Sequence, residues 1–152
     1  MTTLPAQAAD LRALLLMDSL PTGCILHPIT DGASWPHLKP GEFAVADTTD
    51  HTPSRGELFV IQYPSTGHRF IVGAFRHARV MSEEDRLGCW CVGALVRPGT
   101  PEELRLRFNR GDTRHLVYDG PYRSAEYLSE KLVGRVIGVF ASAFDEARLR
   151  TV

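Results

Sequence analysis

Cysteine, lysine and long apolar runs are all scarce in this chain of 152 residues. The three cysteines are Cys24, Cys89 and Cys91. A small, odd number argues against a disulfide framework and fits a reducing compartment, so a cytoplasmic location is expected. No apolar run approaches the roughly 18 residues that a membrane-spanning helix needs. The run Ala13 to Met17 is too short for a secretory leader, and no basic residue precedes Arg12. No membrane partner is expected. Seventeen basic side chains against 18 acidic ones leave a net charge of -1, whereas a free-standing nucleic-acid binder is usually basic. Metal-ligand spacing is missing too. His27, His37, His51, His68, His77 and His115 never recur at ligand intervals, and Cys89-Trp90-Cys91 has no second pair to complete a zinc site. Neither a metal nor a cofactor is expected, and the cysteines read as buried structural residues.

What is present suits one domain over residues 1–152. Hydrophobic residues are 43% of the chain and charged ones 23%, and a chain of this length buries roughly 70% of its unfolded surface. Residues 5–18 predict one short helix. Pro5 suits a first helical position, and Leu11, Leu14, Leu15 and Asp18 recur at i, i+3, i+4 and i+7. A single helix is not a helix-turn-helix, which needs a second helix for the groove. From 24 to 152 the signals are strand and turn. Glu42 to Asp47, Glu57 to Tyr63 and Arg69 to Phe75 read as strands, the last two forming a hairpin across Pro64 to Gly67. Cys89 to Val96 is a further apolar run. Leu104 to Phe108 alternates, with Leu104, Leu106 and Phe108 on one face and Arg105 and Arg107 on the other. Leu132 to Ala141 is apolar on both faces, as a central buried strand is. The fold class is mainly β, a barrel or sandwich.

The stretch Asp31-Gly32-Ala33-Ser34-Trp35-Pro36-His37-Leu38-Lys39-Pro40-Gly41-Glu42, followed by the strand Phe43 to Asp47, resembles the nucleophile segment of the LexA and phage-repressor self-cleaving peptidases. That family, related to the signal peptidases, reads S-M-x-P-x-L-x-x-G-D before an apolar strand. Pro36, Leu38, Gly41 and Glu42 match in register. Gly56-Glu57 and the hairpin 57–75 match the next element, and Gly134 to Phe140 matches the last. The likeness spans residues 30 to 76 and 132 to 141; the segment 77–131 matches only loosely. The resemblance implies the LexA-like C-terminal domain, a distorted β barrel or sandwich over 24–152, and a homodimer paired through the strand Val136 to Phe140. It also implies a setting in transcriptional regulation.

The departures lie at the chemistry. The alignment places Ala33 where the family has its serine and puts Ser34 at the methionine. Gly73 takes the place of the lysine. The chain has only Lys39 and Lys131, and neither matches. A serine hydroxyl is a poor nucleophile without an adjacent base, and glycine supplies none. His68 and His77 would each sit more than about 13 Å along the strand from the required place. The Ala-Gly and Cys-Gly dipeptides at which the family cuts itself do not occur. No catalytic residue is therefore expected, Ala33 and Gly73 being vestigial. The expectation is a catalytically inactive module for dimerisation or peptide binding, with Ser34, Trp35 and Gly73 in a degenerate cleft. An extended peptide or a regulatory protein is the expected partner, and no specific nucleic acid binds this chain alone. The alternative is an active serine peptidase using Ser34 and a base not evident in the sequence. Arg105, Arg107, Arg110 and Arg114 read as a solvated basic strip compensated by Glu102, Glu103 and Asp112, and Arg110-Gly111-Asp112 as a turn.

Overall fold

A computed structural model describes residues 14–76, 90–95 and 100–141. Their strands are β1 (Leu15–Met17), β2 (Cys24–Pro28), β3 (Phe43–Asp47), β4 (Leu58–Gln62), β5 (Arg69–Arg76), β6 (Trp90–Gly93), β7 (Tyr118–Tyr122) and β8 (Leu132–Phe140). Two helices, α1 (Pro101–Asn109) and α2 (Ala125–Ser129), and a 3-10 turn at Arg114–Leu116 complete the described residues. The strands form one eight-stranded sheet in the order β2-β3-β8-β4-β5-β6-β7, with β1 joined in parallel to β8. The mainly β class holds. No helix among the described residues is long and apolar enough to cross a membrane.

The sheet buries apolar side chains on both faces of β4, so its sequence is a continuous apolar run. Phe59 and Ile61 join Ala74, Trp90, Val92, Tyr122, Leu128 and Leu132 in one cluster. Leu58 and Val60 join Ile29, Leu38, Ala44, Ala46 and Val136 in the other.

β8 holds the two halves together. It pairs with β3 through Arg135 to Phe140, with β4 through Leu132 to Arg135, and with β1 through Gly138 to Phe140. Two register shifts put one extra residue each into β8. Val45 faces Gly138 while Ala46 faces Val136, which leaves out Ile137. Val60 faces Gly134 while Ile61 faces Leu132, which leaves out Val133. Such bulges re-aim side chains. Val133, Val136 and Val139, three residues apart, therefore all reach the second cluster, where strict alternation would not put them. Arg135, the one charge in β8, has its Nε 3.0 Å from an Asp50 carboxylate oxygen and its Nη1 3.9 Å from Glu57. Within the chain, β1, β3 and β4 pair with the edges of β8.

Two expectations are corrected. Leu14 to Asp18 is not the end of a helix: Leu15–Met17 is extended and pairs with β8, while residues 5–13 lie outside the described residues. A parallel pairing with a strand over 120 residues later leaves no local trace in sequence. Leu104 to Phe108 is not a strand but the body of α1. Thr100 caps it by accepting from the Glu103 amide at 3.2 Å, Pro101 opens it, and Glu102 and Glu103 face its positive end. That cap and charge pattern outweighs five residues of alternation, and α1 buries no residue that would have imposed a helical stripe. Of the cysteine pair, Cys91 is buried in β6 and Cys89 lies outside the described residues.

The close crossing at β8 needs glycine. A Cβ on Gly134 would meet the Asp47 carbonyl inside contact distance and the Thr48 nitrogen at 3.0 Å. At Gly32 a Cβ would meet nothing within 4 Å. Gly134→Ala is expected to cost about 2 kcal/mol or more, in line with overpacking of a core, and Gly32→Ala under about 0.5 kcal/mol, as at open surface sites. Urea denaturation measures both, and equal costs would contradict this account of the crossing.

Candidate functional site

The segment 29–42 is a loop closed at its base and pinned by one core side chain. Ile29 donates to Glu42 at 2.8 Å and its carbonyl accepts from Gly41 at 2.8 Å. Within the loop, the Asp31 carboxylate accepts from the Ala33 amide at 3.0 Å. The Gly32 carbonyl accepts from Trp35 at 3.1 Å, and the Ser34 carbonyl accepts from His37 at 2.9 Å and Leu38 at 3.0 Å. Leu38 is fully buried and anchors the turn in the core. These bonds turn Ser34 inward, to 9% exposure, and leave Trp35 at 49%. The Lys39 ammonium stands 5.3 Å from the centre of the Trp35 ring.

A shallow groove of about 80 Å³ runs beside this turn. His27 to Asp31, Ala33 and Ser34 form one wall, and Arg69, Phe70 and Ile71 the other. Both walls include strand edges. β2 ends the sheet, and its outer edge carries Pro28, which has no N–H to offer. β5 pairs with β6 only from Gly73 to Arg76, so its first half has one edge open among the described residues. Tyr63 donates to His68 and Gln62 donates to Lys131. That alternation, carried along the register Gln62↔Arg69 and Val60↔Ile71, turns the N–H and C=O of Arg69 and Ile71 away from β4. Burial pushes the His27 imidazole below the ordinary histidine range, and the Arg69 guanidinium adds to the effect.

Of the residues expected in the cleft, Ser34 and Ala33 line this groove, while Trp35 and Gly73 do not. Gly73 lies farther along β5, opposite Leu58 and Gly93. The space a side chain would take there is filled: a Cβ on Gly73 would overlap the Leu95 side chain. His37 donates to the Leu95 backbone. Its imidazole is pushed below the ordinary range chiefly by burial, with the Arg114 charge adding to that and the Leu95 bond opposing it. No base is hydrogen-bonded to the Ser34 hydroxyl among the described residues. His77 lies outside them.

The basic strip is redistributed. Arg105 and Arg107 lie on α1 and Arg110 ends it. Arg114 reaches back to the turn, where one guanidinium nitrogen donates to the carbonyls of Gly32, Ala33 and Trp35 at 3.3, 3.2 and 2.8 Å. The sequence shows Arg114 only as part of a basic strip and gives no sign of this contact, because its partners stand about 80 positions away. A second missed cluster ties β4 to β7. The Tyr63 and Tyr122 hydroxyls both donate to one Asp119 carboxylate oxygen, and Lys131 lies over the Tyr122 and Tyr127 rings. Burial and the Asp119 charge push Tyr63 up to about 12, so this phenol stays protonated at neutral pH and supplies no nucleophile.

Compared with known proteins, the chain matches no family model, no curated protein and no solved structure.

Two outcomes follow from this geometry. Gly73→Ala should destabilise the protein, and Leu95→Ala in the same chain should relieve part of that loss. A coupling of about 1 kcal/mol or more is expected for residues in direct contact, and additive losses in a double-mutant cycle would contradict the overlap. The second outcome concerns acid. Histidine in the unfolded chain titrates near 6.5, above the folded values of His27 and His37. Below that pH the unfolded chain takes up protons that the folded one refuses. The stability is thus complete above pH 6.5 and is lost as pH falls through the lowered folded values. The melting midpoint should hold between about pH 8 and 7 and fall between about pH 6.5 and 5.5, less steeply in His37→Gln. A midpoint that rises on acidification would contradict the shifts.

Proposed function

We propose that this chain is a non-cleaving relative of the LexA and phage-repressor peptidases that binds an extended peptide of a partner protein. The peptide adds as a strand to the open half of β5, in the groove beside Ser34. One observation carries the reading: a strand edge at Arg69 to Val72, open among the described residues, adjoins a position, Gly73, whose side-chain space is occupied by Leu95. An unpaired edge offers main-chain hydrogen bonds to an extended segment, and the wall side chains then select its residues. Phe70 is 46% exposed and offers apolar contact. Arg69 favours an acidic side chain in the peptide, by charge complementarity. The proposed lack of cleavage is supported by two observations: among the described residues no base is hydrogen-bonded to the Ser34 hydroxyl, and the side-chain space at Gly73, where the resemblance puts the lysine, is filled by Leu95. The regulatory setting comes from the resemblance.

The test uses a fluorescein-labelled peptide of alternating valine and glutamate, titrated by anisotropy. Saturable binding is expected, weakened about tenfold or more by Arg69→Glu through charge reversal at the rim. Incubation at about pH 10, which would deprotonate a lysine or any weaker base, should leave both peptide and protein intact. Failure of the peptide to saturate would overturn the binding reading. A time-dependent fragment that disappears in Ser34→Ala would restore the active peptidase.

A further inference from the structure

Arg114 makes five side-chain hydrogen bonds close to the groove, and nothing in the proposed binding uses it directly. Its Nη1 donates to three backbone carbonyls that flank Ser34, those of Gly32, Ala33 and Trp35. Its Nε and Nη2 donate to the two carboxylate oxygens of Asp112 at 2.9 and 3.1 Å. The guanidinium is planar and presents its donors in a fixed fork. One edge of that fork is aligned by Asp112, so the remaining nitrogen is aimed at the turn. Asp112 is itself placed by the end of α1. Gly111 takes a left-handed φ of 77°, and the Asp112 amide then donates to the Arg107 carbonyl at 2.8 Å. The Arg-Gly-Asp tripeptide is therefore a helix stop that orients a carboxylate.

The turn 31–35 has few other ties. Its remaining bonds are local: Asp31 to Ala33, Gly32 to Trp35, and Ser34 to His37 and Leu38. Of the three carbonyls that Arg114 gathers, that of Gly32 also accepts from Trp35, while those of Ala33 and Trp35 have no other hydrogen bond among the described residues. α1 buries no side chain of its own, so the Asp112–Arg114 pair also ties its end to the loop that bears Ser34.

We propose that Arg114 is a positioning residue, a latch that holds the Ala33–Ser34 wall of the groove in its binding shape, with Asp112 setting its aim. The latch is a statement about the turn; its bearing on ligand binding rests on the reading of the groove given above.

Amide hydrogen exchange on the full chain separates a latch from general stability. In Arg114→Lys the charge is kept and the fork is lost. The amides of Trp35, His37 and Leu38 should then exchange about tenfold faster or more, while those of β3 and β4 change less than about twofold, as expected of local rather than global opening. Asp112→Asn, which keeps one acceptor oxygen, should give a smaller change at the same three amides. Unchanged exchange at these amides, or a rise shared equally by β3 and β4, overturns the latch. The valine-glutamate peptide supplies the second arm. Weaker binding by Arg114→Lys, with its β3 and β4 amides intact, supports the positioning role. Wild-type affinity in a variant whose turn has loosened overturns that role. A wild-type protein that binds no peptide refutes the groove reading, and the exchange data then decide the latch by themselves.

Discussion

The approach of three strands to β8 is the constraint on which the other contacts depend. β3 passes close enough at Gly134 to exclude a methyl group, and β1 does the same at Gly138, where a Cβ would stand 2.6 Å from the Leu15 carbonyl. These approaches let one strand serve β3, β4 and β1 together. The two extra residues in β8 lie within its pairings with β3 and β4, and each bulge resets the register there. Without that crossing, neither cluster has both of its walls.

The groove is a consequence of how the sheet ends. β6 follows β5 for only four residues, then leaves it, and the Leu95 side chain settles over Gly73. Among the described residues, the open half of β5 and the filled space next to it are thus two effects of one divergence. Ser34 comes to the groove from the other side, on a loop held by a buried leucine below and by Arg114 from outside. Among the described residues, a hydroxyl with no hydrogen-bonded base thus stands beside a stretch of unpaired strand edge.

Much of the sheet was legible in the sequence, because burial wrote it there. β3, β4, β5 and β8 were readable from apolar runs between glycine and proline turns, and the β4–β5 hairpin from its short loop. The misreadings share a cause. At Leu104 to Phe108 the side-chain alternation points to a strand, while the threonine cap, proline and paired glutamates just before it decide the backbone. β1 and Arg114 depend on partners far along the chain, and no local pattern announces such partners. Ser34 stands out in the sequence only through its neighbours Pro36 and Leu38, and in the structure it lines the groove. Leu95 does not stand out, since one leucine at the end of an apolar run says nothing about which glycine it will cover.

The position of β8 in the chain order also shapes how the molecule is made. β8 follows every other described strand, yet it is the one that joins β3 to β4 and receives β1. A nascent chain that has reached residue 131 holds its hairpins but not its sheet, because the contacts that close it are non-local and come last. Until then β3 and β4 each present an edge that β8 will later cover, and such edges invite pairing with other chains. The protein therefore assembles late and all together, and the same strand that stabilises the finished sheet sets the interval during which the unfinished one is exposed.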